Sequence, residues 1–289
     1  MKFNTNSNVY IIIYSVVMVV IVAVLLAFVS EGLKERQNTN VLEDNKKQIA
    51  KAYSGEDEET KLPKQSYEDV IGDQAYILCE NGKLVPDEEA VFAAMKNLKD
   101  SYEKKEYPLF VAKEGGVVIP LYGKGLWDAI WGFVALEADM NTIKGIVLAH
   151  KGETPGLGAE IATPKHQNKY VGKKIFGEND NNELVLKGIT LVKGGVKPGS
   201  ANCDHEVDAI TGGTKTSDGV TAMIKNSLAP YEAYLKAKMA EETEPIKEEK
   251  KSEGIDQSSD SLKSDAHTGA TNPCDSLSNQ SMSNAIIPE

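Results

Sequence analysis

The stretch DAITGGTKTS, Asp208 to Ser217, places four hydroxyl side chains and two glycines in ten positions, directly ahead of a segment with helical spacing. Gly212 and Gly213 carry no side chain to keep a bulky group away from the backbone at Thr214. The helix that follows opens with unpaired amide donors and a positive dipole end, both suited to a phosphate. A hydroxyl at that point could bind a phosphate, and as a phosphate ester it would become a permanent attachment point. A glycine turn with an N-cap accounts for the same residues without any ligand, and on spacing alone both readings stand.

A second stretch, HKGETPGLGAEI from His150 to Ile161, holds the constrained bend Thr154-Pro155-Gly156-Leu157-Gly158. Its backbone could press on a flat ring, with Leu157 as an apolar face, or it could simply connect two strands. Glu153 and Thr154 offer polar groups for a ring's edge or for solvent. Trp127, in GKGLWDAIWG, could border a cofactor or fill the core. The spacing of Gly123, Gly125 and Gly132 is not that of a dinucleotide fingerprint, and a Walker loop, HExxH and GxSxG do not occur. No acid–base pair stands out, so no catalytic residue is assigned.

The elements that must position these residues follow from periodicity. Val91, Met95, Leu98 and Tyr102 recur at helical spacing after Pro86 and Asp87. Val117–Tyr122, Ala129–Ala138, Gly145–His150 and Gly188–Val192 read as strands, with Ile130, Val134 and Leu136 on one face and Trp131, Phe133 and Ala135 on the other. Val220, Ile224, Leu228, Tyr231 and Leu235 predict a helix with Thr216 or Ser217 as N-cap and a break or kink at Pro230. Helix, then sheet, then helix is an α+β domain with a mainly antiparallel sheet flanked by helices.

Composition sets the boundaries. Val9 to Val29 is an uncharged apolar run long enough to cross a bilayer once. The expected organisation is a short N-terminus (1–8), a transmembrane helix (9–29), a polar stalk (30–60), one globular domain (61–240) and a disordered tail (241–289). From Glu241 onward the tail holds 11 acidic and 4 basic side chains, so it carries most of the chain's net charge of −11. The acidity therefore says little about the folded domain's partner, although it argues against nucleic acid. The cysteines at 79, 203 and 274 form no CxxC pair, and the histidines are dispersed, so no metal site is assigned.

DAITGGT resembles the flavinylation motif of the FMN-binding domain family: aspartate, two variable residues, Ser or Thr, Gly, Ala or Gly, then Thr. ETPGLG and GLW resemble two further segments of that family in the same order. The resemblance covers roughly residues 9 to 240, stops at the tail, and departs in the attachment motif at Gly213, where alanine is usual. It implies FMN joined through its phosphate to Thr214 by a magnesium-dependent flavin transferase that uses FAD as donor. It also implies that Gly212, Gly213, Lys215 and Thr216 line the attachment point, that Trp127, Glu153, Thr154, Leu157 and Gly158 border the flavin, and that Lys193 offsets its charge. Asp208 is expected to serve turn geometry or transferase recognition.

By the same resemblance the chain would be a one-electron carrier in the inner membrane of a bacterium, its main domain periplasmic. It would belong to a sodium-pumping NADH:quinone reductase of six different polypeptides, A to F. There it would pass electrons from an iron centre held by the D and E polypeptides to the FMN of the B polypeptide. The alternatives are the G subunit of the related ion-pumping ferredoxin:NAD oxidoreductase and a membrane-anchored binding or scaffold module without redox function.

Overall fold

The structure, a computed structural model, describes residues 7–243 apart from Asp180 and Pro198. The expected acidic tail lies outside the described residues beyond Thr243, as do the first six residues of the N-terminus. The chain divides into two units, one ending at Lys46 and one starting at Lys47.

The apolar run lies within helix α1 (Asn8–Ser54), whose large apolar side chains from Val9 to Val29 are exposed. Among the described residues it is the one helix long and apolar enough to cross a membrane. The polar segment expected as a stalk is helical as far as Ser54, and its end belongs to the folded unit: Ile49, Ala50, Ala52 and Tyr53 are buried in an apolar cluster. Straight-chain Lys, Glu and Gln are good helix formers, so a segment without a wide apolar stripe still continues the helix it inherits. The folded unit therefore starts near Lys47 rather than Lys61.

The folded unit is α+β. After the short helix α2 (Tyr67–Val70) come β1 (Ala75–Cys79), β2 (Leu84–Pro86), α3 (Glu88–Lys96), α4 (Leu98–Glu103), β3 (Glu106–Val111), β4 (Val117–Lys124), β5 (Ala129–Leu136) and β6 (Ile143–His150). The helix expected across 88–102 is broken at Asn97, which leaves helical dihedrals (φ −144°) and caps α4 by accepting from Asp100 N–H. Strands β1 to β6 form one antiparallel sheet in the order β2-β1-β3-β4-β5-β6.

Period-two alternation gives this sheet two buried faces. Val117, Ile119 and Leu121 of β4 and Ile130, Val134 and Leu136 of β5 join one cluster, while Val118, Phe133 and Ala135 join the cluster that holds the end of α1 and α3. Beyond the sheet follow α5 (Pro164–Gln167), the hairpin β7 (Phe176–Glu178) and β8 (Leu184–Leu186), the parallel pair β9 (Thr190–Val192) and β10 (Glu206–Asp208), then α6 (Thr214–Leu228) and α7 (Glu232–Thr243). Val220, Met223, Ile224 and Leu228 of α6 pack on the first cluster. Pro230 sits in a 3-10 turn between α6 and α7, where its missing N–H costs no helical bond.

Two glycines bring α6 onto the end of β4. A Cβ at Gly219 would stand 2.4 Å from the Lys124 carbonyl oxygen, and one at Gly123 would stand 2.6 Å from Met223 Cβ. The first turns of α6 therefore rest against the β4–β5 connection.

Candidate functional site

Three connections meet at one end of the sheet: the β4–β5 loop from Gly125 to Asp128, the segment that leaves β6, and the entrance to α6. Pairing of Lys124 with Ala129 and of Ile130 with His150 puts the first two side by side. Lys151 N–H donates to the Ala129 carbonyl (3.0 Å), and the Lys151 ammonium pairs with Asp128 at 3.0 Å. The Asp128 carboxyl is held below its ordinary range, first by the hydrogen bond from Ala129 N–H and then by Lys151.

Glu153 ties all three together. It is 5% exposed; its Oε1 accepts from Trp127 N–H at 3.1 Å and its Oε2 from the Thr216 hydroxyl at 2.6 Å. Its own N–H donates to His150 Nδ1 at 3.3 Å. The carboxylate fits only because two neighbours lack side chains. A Cβ at Gly125 would lie 2.3 Å from Oε1, and one at Gly158 would lie 2.4 Å from both Oε2 and Thr216 Oγ1. Both carboxylate oxygens of Glu153 are thus engaged within the protein.

The bend Thr154–Gly158 is set by Gly156 at φ +74° and by two bonds to the Thr154 carbonyl, from Leu157 N–H and Ala159 N–H, each 3.1 Å. The Thr154 hydroxyl accepts from Trp127 Nε1 at 3.2 Å, which holds the indole although it is 67% exposed. Leu157 is exposed as well, and beneath it Gly212 (φ +76°) has no room for a Cβ, which would fall 2.6 Å from Leu157 Cδ2. Trp127 and Leu157 therefore present apolar surface to solvent beside the entrance of α6.

At that entrance the N-cap is Gly213, with no side-chain cap, in place of the expected Thr216 or Ser217. The first intrahelical bond runs from Ser217 N–H to the Gly213 carbonyl (2.9 Å). The amides of Thr214, Lys215 and Thr216 precede it and have no helical acceptor. Two other hydroxyls of the turn are spoken for: Ser217 Oγ donates to the Gly213 carbonyl at 2.9 Å and accepts from Ile210 N–H at 3.1 Å, while Thr216 serves Glu153; Thr211 lies exposed, ahead of the helix. Thr214, half-buried, has no hydrogen-bond partner for its hydroxyl among the described residues, and Lys215 points outward.

A phosphate fits this arrangement, since three amides without a helical acceptor stand at the positive end of a fifteen-residue helix, while Gly212 and Gly213 let the turn pack closely against Leu157 and Ile210. Thr214, Thr216, Gly212, Gly213, Trp127, Glu153, Thr154, Leu157 and Gly158 are brought together here. Asp208 and Lys193 lie at the exit of the β9–β10 pair, where Asp208 stands opposite Val192. Lys193 is exposed and has no ion-pair partner among the described residues. Ser217, Ile210, Gly125 and His150 complete the site, and none of these roles was signalled by spacing. A cleft of about 540 Å³ lies elsewhere, lined by Lys51, Lys64, Lys144 and Asn168, and contains none of these residues.

The FMN-binding domain family matches residues 125–229, a span that holds the β4–β5 loop, the segment that leaves β6 and the entrance to α6. A Vibrio vulnificus protein, the C subunit of a Na(+)-translocating NADH-quinone reductase, is 30% identical over 221 residues, 68% of this chain and 82% of that protein. The chain belongs to this C-subunit family. Its Haemophilus ducreyi relative of the same name is 47% identical over 126 residues, 42% of this chain, and the match spans about half of that protein, 46% of its length. The crystal structure of the C subunit from Parabacteroides distasonis superposes with a TM-score of 0.56 at 35% identity, covering 70% of this chain and 96% of that one. The C-subunit fold thus covers 70% of the chain, and the FMN-binding domain match runs from the β4–β5 loop to the end of α6.

Proposed function

We propose that the chain carries FMN on Thr214, joined through the cofactor's phosphate, and relays single electrons inside a sodium-translocating NADH:quinone reductase. The observation that carries this reading is the division of labour among the hydroxyls of DAITGGTKTS. Thr216 and Ser217 are consumed by internal hydrogen bonds, Thr211 lies in the exposed turn, and Thr214 alone starts an uncapped helix with its hydroxyl uncommitted.

FMN, when bound, supplies reversible one-electron chemistry that no side chain here offers. The protein's own contribution is binding and placement. The amides of Thr214, Lys215 and Thr216 and the helix dipole take the phosphate, with Lys215 and Lys193 adding positive charge nearby. Trp127 and Leu157 border the ring, and Thr154, fixed by the Trp127 indole, faces its polar edge. Glu153 acts beneath this surface by holding Thr216 and Trp127 in register. No residue of the site is assigned a proton transfer, in keeping with a relay that has no substrate pocket of its own.

Family membership supports the remaining parts of the proposal. The A, B, D, E and F polypeptides of the reductase are the partners. Electrons arrive from the membrane-embedded iron centre of D and E and leave to B, while NADH oxidation, quinone reduction and sodium transfer belong to the whole complex. α1 anchors the chain in the bacterial inner membrane with the folded unit in the periplasm, where a flavin transferase attaches the cofactor.

Full-length protein coexpressed with a flavin transferase is expected to be yellow and to carry the added mass of one FMN on the peptide that contains Thr214. Thr214→Val keeps the shape of the side chain and removes the nucleophile, so it should be colourless. An unmodified wild-type chain under conditions that flavinylate another member of the family would overturn the proposal.

A further inference from the structure

The first residue of the motif, Asp208, is six positions from Thr214, and the described hydrogen bonds of its carboxylate run away from α6. Oδ1 accepts from Val196 N–H at 2.8 Å and Oδ2 from Lys169 Nζ at 3.4 Å. Hydrogen bonding by Val196 N–H, and then Lys169, holds this carboxyl below its ordinary range, so it is charged in the periplasmic pH range. The segment it grips, Lys193-Gly194-Gly195-Val196, turns through two left-handed glycines, Gly194 at φ +81° and Gly195 at φ +88°, and a Cβ at Gly195 would lie 3.4 Å from Asp208 Oδ1.

Lys193 heads this loop directly after β9. Asp208 ends β10, which pairs in parallel with β9, and the next residue, Ala209, donates its N–H to the Val192 carbonyl at 2.9 Å. Ile210 then bonds to Ser217 Oγ, and the turn to Thr214 begins. Asp208 thus sits where the attachment turn leaves the β9–β10 pair, and its side chain fastens that point to the glycine loop on one side and to Lys169, in the 3-10 turn after α5, on the other.

We propose that Asp208 is a positioning residue: it locks the Lys193–Val196 loop against the end of β10, and this locked junction holds Thr214 where it can be modified and Lys193 where its charge reaches the phosphate. The inference rests on the reading of Thr214 as the attachment residue. It assigns the motif's aspartate to the architecture of the junction and not to a surface handle read by the transferase.

The two roles separate through variants of the full-length chain coexpressed with a flavin transferase, read by covalent flavin per chain and by hydrogen exchange of the peptide containing Val196. Asp208→Asn keeps an acceptor for Val196 N–H and should retain most of both signals. Asp208→Ala loses the acceptor, so loop protection and covalent flavin should fall together, each by about tenfold, the factor set by one hydrogen bond to a charged group.

Gly195→Val disturbs the loop from the other side with Asp208 intact and should lose flavin as well, an arm that holds if Asp208→Ala does not accumulate. Flavin lost in Asp208→Asn with the loop still protected, or flavin retained in Gly195→Val with the loop opened, overturns the proposal. A wild-type chain without flavin would remove the attachment reading instead, and exchange in Asp208→Ala would still decide whether this carboxylate holds the loop.

Discussion

The Thr216 hydroxyl donates to Glu153 Oε2 across 2.6 Å, and with both residues almost wholly buried this bond fixes the entrance of α6 to the segment that leaves β6. A carboxylate buried without a cation is tolerable only where hydrogen bonds replace its water, and here Trp127 N–H and Thr216 provide them. Glu153→Ala should therefore destabilise the folded unit by about 2–3 kcal/mol, because it strands the buried Thr216 hydroxyl and removes the acceptor of the Trp127 amide. Glu153→Gln can turn its amide so that Oε1 accepts from Trp127 N–H while Nε2 donates to a rotated Thr216 hydroxyl, and should cost less than half as much. Thermal unfolding of both variants, with covalent flavin measured in parallel, checks the order.

Crowding around the same carboxylate separates glycines that look alike in the sequence. Gly158→Ala would drive a methyl to within 2.4 Å of Glu153 Oε2 and Thr216 Oγ1, in a spot where neither is free to withdraw. A loss of about 1–3 kcal/mol is expected, with weaker flavinylation. Gly152→Ala, one residue before Glu153, meets nothing within 4 Å and has no left-handed φ, so its melting temperature should match the wild type. Equal losses at the two positions would show that backbone freedom, not contact with the carboxylate, governs this segment.

What the sequence revealed and what it hid divide along the range of the forces involved. The faces of β5 and the packed stripe of α6 follow from period 2 and period 3.6, because a side chain's direction is set by its own backbone. Leu157 and Thr214 were legible as parts of the site because glycines flank them. The role of Glu153 was not, since it depends on Trp127 and Thr216, each distant along the chain. Nor was the N-cap: four hydroxyls compete for it, and Ser217 is drawn away by Ile210 N–H, which leaves Gly213 at the cap and the amides free. β1, β2 and β3 escaped notice; β2 has three residues, and β3 carries Pro108, which interrupts a strand pattern.

Buried His166 predicts a specific pH response. Its ring lies 3.0 Å from the Tyr170 hydroxyl, and burial first, then the Lys169 charge, lowers its pKa to about 4, with Asp208 opposing. The folded state therefore binds this proton less readily than the unfolded chain, whose histidine titrates near 6.5. Stability from this group is complete above the unfolded value and is lost as pH falls from there toward the folded one, by about 2 kcal/mol at pH 5. Asp128, Asp139 and Asp208 are held below the ordinary carboxylate value, so their losses fall at lower pH. His166→Gln should flatten the change in melting temperature between pH 7 and pH 5, and an unchanged slope would exclude His166 as its source.

Thr214→Ser tests whether the attachment depends on the hydroxyl alone or also on how stiffly it is held. Threonine's branched Cβ restricts χ1, so its oxygen is largely fixed before the cofactor arrives, whereas serine samples more rotamers at the same backbone position. The serine variant should still be flavinylated, at a rate about two- to fivefold lower, the size of a fraction of a kcal/mol to about 1 kcal/mol of rotamer freedom. Thr216→Val should lower stability by leaving a Glu153 oxygen unpaired, yet it should leave the modification on the Thr214 peptide, because the free amides and the free hydroxyl both stay in place. Peptide mapping of flavin mass in the two variants reads out both statements. Migration of the flavin to Ser217 in either one would mean that the hydrogen bonds holding Ser217 to Ile210 and Gly213 do not exclude it as an acceptor, and the assignment of Thr214 by elimination would fall.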